Sequence, residues 1–287
     1  MRKSMLALIC LLFALPVFAL PVFSLPAWAQ GGLMLDGLLV QGGHAKGKVP
    51  PGSTVEYDGI PVIVGEDGGF IIGFHRDEPD DTVLRVTLPD GTKKAYPLRV
   101  EPRTYDIQRI DGLPQDKVDP PPEVMERIAA DAAAARAARD RNTPDAWYET
   151  GWIWPVRGRI TGVFGSQRVL NGEPKQPHYG IDIAAKEGTE VVAPADGTVS
   201  LAHPDMYFSG ATLMIDHGRG LASTFLHLKS IAVKEGQFVK KGDVIGTVGS
   251  TGRSTGPHLD WRINWFDKRL DASLFAGPMP GPSYTPD

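Results

Sequence analysis

The sequence predicts a mainly β protein with a short helical connector, on three observations. Glycine and proline number 33 and 25 of 287 residues, a density that favours short strands joined by turns over long helices. From Gly32 to about Val100, apolar and polar residues alternate between turn signals at Pro50-Pro51-Gly52, Asp58-Gly59, Asp67-Gly68-Gly69 and Pro89-Asp90-Gly91, the pattern of strands half-buried on one face. A second turn-and-strand region runs from Trp152 to about Phe275.

The first element is read as an export signal over residues 1–29. Arg2 and Lys3 supply the charge, an apolar run follows from Met5, and Ala27-Trp28-Ala29 closes it with a small-x-small cleavage pattern. Pro16, Pro21 and Pro26 interrupt the run and argue against a permanent membrane anchor, so no membrane association is expected after removal. Cys10 is the sole cysteine, so the mature chain would have neither thiols nor disulfides to hold it together. Losing two bases and no acid takes the formal charge from −4 to −6. That mild acidity argues against nucleic acid as the main partner, because such proteins usually present a basic surface to phosphates.

Residues 30–105 read as a small β-sandwich, with strands at Ser53 to Tyr57, Phe70 to Phe74, Thr82 to Leu88 and Ala95 to Val100. Its two histidines, His44 and His75, have no partner at ligand spacing and are expected to have a structural or surface role. A linker over 106–150 follows. Pro120-Pro121-Pro122 leads into a helix expected at about 122–141, rich in alanine, arginine and acids. The helix has a thin apolar stripe and is expected to lie on a surface. A Pro/Gly-rich tail ends the chain at 277–287.

The second β region holds five of the seven histidines, so chemistry is expected there. Three clusters stand out: His178-Tyr179-Gly180-Ile181-Asp182, then His227 in Thr224-Phe225-Leu226-His227-Leu228, then Pro257-His258-Leu259-Asp260-Trp261. His178 and Asp182 are four apart, but Pro177 and Gly180 oppose a helix, and an extended strand would separate them by about 13 Å. A turn or bulge around Gly180 is therefore required to bring them together. His258 and Asp260, two apart on a strand, share a face. His217 in Asp216-His217-Gly218 reads as a turn residue. The Gly-rich segments lack the lysine and hydroxyl spacing of a phosphate-binding loop, and Ser166 and Ser254 lack the context of a nucleophile. Arg168 and Arg253 lie near the clusters and could meet a substrate carboxylate, though exposed arginine is the default reading.

The strings PHYGIDIAA, VVAPADGTV, IDHGRGLASTFLHL, VKKGDVIGTVGSTGRSTGPHL and DWRINW, in that order, resemble the lysostaphin/LytM-type zinc metallopeptidases over residues 154 to 275. The resemblance implies a C-terminal antiparallel β-sheet peptidase domain, bounded at 151–276, that carries one Zn2+ and hydrolyses peptide cross-links of peptidoglycan. It implies His178 and Asp182 as metal ligands, with His227 and His258 flanking the water that the metal activates. The preceding β-domain and helical linker are similar to those of proteobacterial members. The family pattern ends its last site strand in His-x-His and takes the second histidine as third ligand, where this chain has Asp260. A carboxylate is an acceptable zinc ligand in that slot. Two carboxylates, however, leave the zinc complex formally neutral, and a less positive centre acidifies water less.

The implied function is a zinc-dependent endopeptidase, secreted across the inner membrane and periplasmic or envelope-associated, with peptidoglycan peptides as substrate. The alternative is a weak or inactive family member that regulates another cell-wall hydrolase as its partner.

Overall fold

The computed structural model describes residues 32–110, 121–170 and 172–280. The expected export segment and residues 281–287 of the expected tail lie outside the described residues. Seven strands form the N-terminal part: β1 (Met34–Gly37), β2 (His44–Lys48), β3 (Thr54–Tyr57), β4 (Ile60–Val62), β5 (Gly69–Gly73), β6 (Asp81–Thr87) and β7 (Lys93–Arg99). They make two small antiparallel sheets, ordered β1-β2-β5 and β4-β3-β6-β7. Strand β6 shows the physical rule: Leu84 and Val86 are buried while Arg85 between them is exposed, so one face enters the core and the other meets water.

The linker contributes β8 (Ile107–Ile110) and the helix α1 (Met125–Arg139). Then follow β9 (Arg159–Gly162), β10 (Gln167–Leu170), β11 (Glu173–Pro174), β12 (Ile181–Ala184), β13 (Glu190–Val192), β14 (Gly197–Met206), β15 (Gly210–Asp216), β16 (Leu221–Ile231), β17 (Phe238–Val239), β18 (Val244–Val248), β19 (His258–Trp265) and β20 (Lys268–Leu270). The largest sheet runs β17-β14-β15-β16-β19-β12-β9, with β13, β18 and β20 paired off that path. Its pairings are antiparallel. Strand β8 instead pairs in parallel with β10, which lies just ahead of His178.

The expected mainly β class, with a β-rich C-terminal region, a smaller β region before it and a helix between them, is the class observed. One apolar core runs through both β regions. Strand β5 explains the continuity: all five of its residues are buried, because it also lies against β19 and β20. A Cβ on Gly73 would stand 2.7 Å from the Cβ of Trp265, so the close approach of the two regions needs glycine there. Polar ties cross the same junction. Arg219 donates to the carbonyl of Gly69 at 2.8 Å, Arg76 donates to the carbonyl of Gly165 at 2.7 and 2.9 Å, and Lys268 meets the buried Glu78 at 2.7 Å.

Two faces of the large sheet have different tasks. On β19 the residues Leu259, Trp261, Ile263 and Trp265 are fully buried in the shared core, and strand alternation sends His258, Asp260, Arg262 and Asn264 to the opposite face. Register extends that second face across the sheet: Asp260 stands opposite Leu226, Arg262 opposite Thr224 and Asn264 opposite Ala222, with Met214 and Asp216 opposite Thr224 and Ala222 in turn. The linker covers part of it. Helix α1 lies against β14 and β15, Asp131 accepts from the Tyr207 amide at 2.7 Å, and Thr143 donates to Asp216 at 3.0 Å. Its alanine-rich sequence suits a helix that must approach a sheet closely, and Ala138 is its buried residue. Arg139, at the C-terminal end, is thereby carried toward Arg262 and Arg269.

His217 is wholly buried, as a structural residue would be. One ring nitrogen meets the carbonyl of Asp196 at 2.7 Å and the other meets Ser223 at 2.9 Å. Burial lowers its pKa to about 4. The folded protein thus holds this histidine neutral while the unfolded chain protonates it near pH 6.5. Its contribution is fully present above about pH 6.5 and is lost as the pH falls toward about 4, by about 3 kcal/mol in all. Urea unfolding of the full chain should show this loss, and His217→Gln should flatten that part of the profile; an unchanged slope in the variant would refute the assignment.

Candidate metal centre

The three residues expected to bind metal come together. Asp182 on β12 and Asp260 on β19 are direct register partners, so their side chains leave the same face of adjacent strands. His178 arrives from the loop before β12. Its Nε2 lies 3.0 Å from Asp182 Oδ1 and 3.5 Å from Asp260 Oδ2, and one donor atom from each residue falls within 4.8 Å of the others. The required turn is a bend at Gly180. Three donors held about 2.0 to 2.2 Å from one tetrahedral ion stand about 3.3 to 3.6 Å apart. The His178 separations of 3.0 and 3.5 Å and the imidazole-plus-carboxylate chemistry fit such an ion.

His258 and His227 stand beside this triad. His258 Nε2 is 3.8 Å from Asp182 Oδ1, and the two imidazole centroids are 4.8 Å apart. His227 gets there by backbone distortion. Leu213 pairs with Phe225 but Ala211 pairs with Leu228, so β16 carries one extra residue, and His227 adopts φ of +63°. A bulge with a non-glycine residue in the left-handed region is costly, and here it re-aims an imidazole into the site.

Backbone carbonyls fix the protonation of all three rings. The Nδ1 of His258 meets the carbonyl of Gly256 at 2.8 Å, that of His227 meets Thr251 at 2.8 Å, and that of His178 meets Val163 at 3.3 Å. A carbonyl can only accept, so each Nδ1 carries the hydrogen and each neutral ring keeps a lone pair on Nε2. Burial lowers the pKa of His227, which keeps it in that neutral form. Burial disfavours the charged form of His178 too, but Asp182 and Asp260 outweigh it and lift its pKa to about 10. Without a metal, a proton on His178 takes the place of the cation between the two carboxylates.

A residue that the sequence reading did not single out completes the charge pattern. Arg262, two positions past Asp260 on the same face, donates from Nη2 to Asp260 Oδ2 at 2.6 Å and from Nε to both oxygens at 3.0 and 3.1 Å. Burial opposes ionisation of Asp260, but Arg262 and His178 overcome it and hold the carboxyl far below the usual carboxylate range. The formal count therefore changes. Two carboxylates and one guanidinium sum to −1, so a divalent ion here would leave +1, as in a set with one carboxylate and two histidines. The donor set by itself still sums to the neutral complex expected from the sequence, and the added charge comes from a side chain outside it.

Two glycines make room for the carboxylates. A Cβ on Gly162 would meet Asp182 Oδ2 at 2.2 Å, and one on Gly180 would meet Asp260 Oδ1 at 2.0 Å. Of the two arginines considered from sequence, Arg253 lies over the Phe208 ring at 4.4 Å, and the Arg168 side chain is outside the described residues.

Comparison with known proteins gives a consistent neighbourhood. The model of peptidase family M23 matches residues 176–272. A crystal structure from Pseudomonas aeruginosa carrying the name peptidase M23 superposes with a TM-score of 0.66 at 33% identity, covering 83% of this chain and 95% of that one. An uncharacterised metalloprotease of Haemophilus influenzae is 44% identical over 110 residues, which are 38% of this chain and 20% of the relative. The peptidoglycan DD-endopeptidase ShyA of Vibrio cholerae is 43% identical over 116 residues, 38% of this chain and 26% of the relative. The chain thus spans only a minor part of the length of these curated relatives.

Proposed function

The chain belongs to peptidase family M23, and from that premise we propose that it is a zinc-dependent endopeptidase hydrolysing peptide cross-links of peptidoglycan in the bacterial envelope. The observation that carries this reading is the convergence of His178, Asp182 and Asp260, with His258 Nε2 3.8 Å from Asp182 Oδ1 and the His227 ring 4.8 Å from that of His258. His178, Asp182 and Asp260 would hold the ion, which when bound supplies Lewis acidity toward a water and toward the scissile carbonyl. His227 and His258 do the proton work: an Nε2 lone pair takes a proton from the attacking water, and the protonated ring then donates to the developing oxyanion or the leaving amine. Their 4.8 Å separation lets them serve the two sides of one tetrahedral centre.

Measuring bound metal and wall digestion together tests the proposal. About one zinc per chain and chelator-sensitive release of cross-link peptides from purified wall are expected. Carboxylate-rich donor sets also accept harder ions, so manganese should restore part of the activity of stripped protein. No peptide release from zinc-loaded protein would sink the reading. A second reading, a non-catalytic member that regulates another wall hydrolase, is favoured by one observation, the grip of Arg262 on both Asp260 oxygens. It predicts that zinc does not bind and that a partner hydrolase is stimulated instead.

Zinc uptake should also displace the His178 proton. Because that proton is held up to about pH 10, binding near neutral pH should release about one proton per ion and strengthen as the pH rises. Calorimetry in buffers of different ionisation enthalpy reads this directly, and zinc binding without proton release would contradict the proposed site. Gly180→Ala supplies a separate check. Its Cβ would displace Asp260, so zinc affinity should fall by about 10- to 100-fold, the scale for disturbing the surroundings of a metal site. Competition with a chromogenic chelator measures the change, and an unaltered affinity would remove Asp260 from the ligand set.

A further inference from the structure

The face that carries Asp260 continues along β19 to a group of residues that the proposed chemistry does not use. Asn264 has no exposed surface, yet neither its Nδ2 nor its Oδ1 has a hydrogen-bond partner among the described residues. Register places it directly opposite Arg269 on β20. Arg269 has no hydrogen-bond or ion-pair partner among the described residues; its guanidinium lies over the ring of Tyr179 at 5.5 Å, next in sequence to His178. Arg139, from the end of α1, brings a third guanidinium. It is mostly buried, its Nε is unpartnered, and its nearest acid is Asp267 at 3.9 Å, whose side chain is largely exposed.

Charge makes the group more than a collection of polar ends. Burial disfavours the charged forms of Arg139 and Arg269, and neighbouring guanidiniums, Arg262 among them, add to that effect. The one buried acid beside them, Asp260, is already committed to Arg262. The Asn264 amide and the Nε of Arg139 are thus buried with hydrogen-bonding capacity unspent, Arg269 stands opposite Asn264, and no buried counter-ion is left for them, an arrangement that an anion would complete. A planar guanidinium fork matches a carboxylate in particular. From Asp260 to Asn264 the strand advances about 13 Å, the length of a few peptide residues from the candidate metal centre.

We propose that Arg139, Arg269 and Asn264 form a carboxylate-binding subsite that takes a free carboxylate of the peptide substrate on one flank of the scissile bond. This rests on the endopeptidase reading for the identity of the ligand, and its test does not depend on turnover. The probe is a short fluorescent wall-derived peptide with free carboxylates, set against the same peptide with its carboxylates amidated. Binding to the metal-free full chain is followed by fluorescence polarisation. The wild type should prefer the acid form by about tenfold, the scale of one charged hydrogen-bonded contact. Arg139→Gln combined with Arg269→Gln should abolish the preference, with unfolding curves confirming that the variant is folded. Should that pair unfold the chain, Arg269→Lys, which keeps the charge but loses the fork, should reduce the preference on its own. Equal binding of acid and amide by the wild type would overturn the subsite, as would a preference that survives both variants. Arg269-dependent binding of inorganic phosphate without discrimination between the peptides would make this a free-anion site and overturn it too. Discrimination in binding with no cleavage of either peptide after zinc loading would instead sink the hydrolase reading and leave the subsite standing.

Discussion

Replacing His258 with alanine should lower the hydrolysis of purified peptidoglycan by about 10²- to 10⁴-fold, the contribution of a positioned general acid or base, while metal content and folding stay close to wild type. The geometry separates these outcomes. His258 Nδ1 is anchored by the Gly256 carbonyl, and its Nε2 stands 3.8 Å from Asp182 Oδ1, outside the triad of shortest donor separations. The ring is thus aimed at the reacting region without being needed to close the candidate donor set. The same variant in His227 should have an effect of similar size, and the two changes together should cost less than the product of each, because the two rings handle one proton inventory at a separation of 4.8 Å. Loss of zinc along with activity would move His258 into the ligand set. Full activity in His258→Ala would defeat its assignment to proton transfer.

The strands were legible because their signals are local, and the candidate donors through the resemblance that their motifs carry. Alternation and turn dipeptides placed Thr54–Tyr57 and Asp81–Thr87 within a residue of their expected positions, and two-residue spacing put His258 and Asp260 on one face. Two features were hidden for physical reasons. The bulge that aims His227 is a register shift against β15, a relation between residues more than ten apart that no local pattern encodes. Arg139 comes near Arg269 only because α1 lies over the sheet, and an alanine-rich helix with a thin stripe does not reveal which surface it covers. Arg262 was within reach. An arginine two places beyond an acid on a strand shares its face, and that alternation was enough to pair it with Asp260.

Arg262→Leu is expected to show what that pair contributes. Asp260 is almost fully buried, and its main counter-charge is Arg262; taking away one partner of a buried ion pair leaves an uncompensated charge, at a cost of about 3 to 5 kcal/mol. Metal-free Arg262→Leu should therefore unfold at distinctly lower urea than metal-free wild type. Zinc should narrow the gap, because a divalent ion placed between Asp182 and Asp260 supplies the missing positive charge and stabilises the folded state by binding it selectively. The double change Asp260→Asn with Arg262→Leu should be milder than Arg262→Leu alone, since it removes the stranded carboxylate along with its partner. A gap between wild type and Arg262→Leu that zinc leaves untouched would mean that Asp260 does not face the ion, and the charge balance assigned to the centre would fall with it.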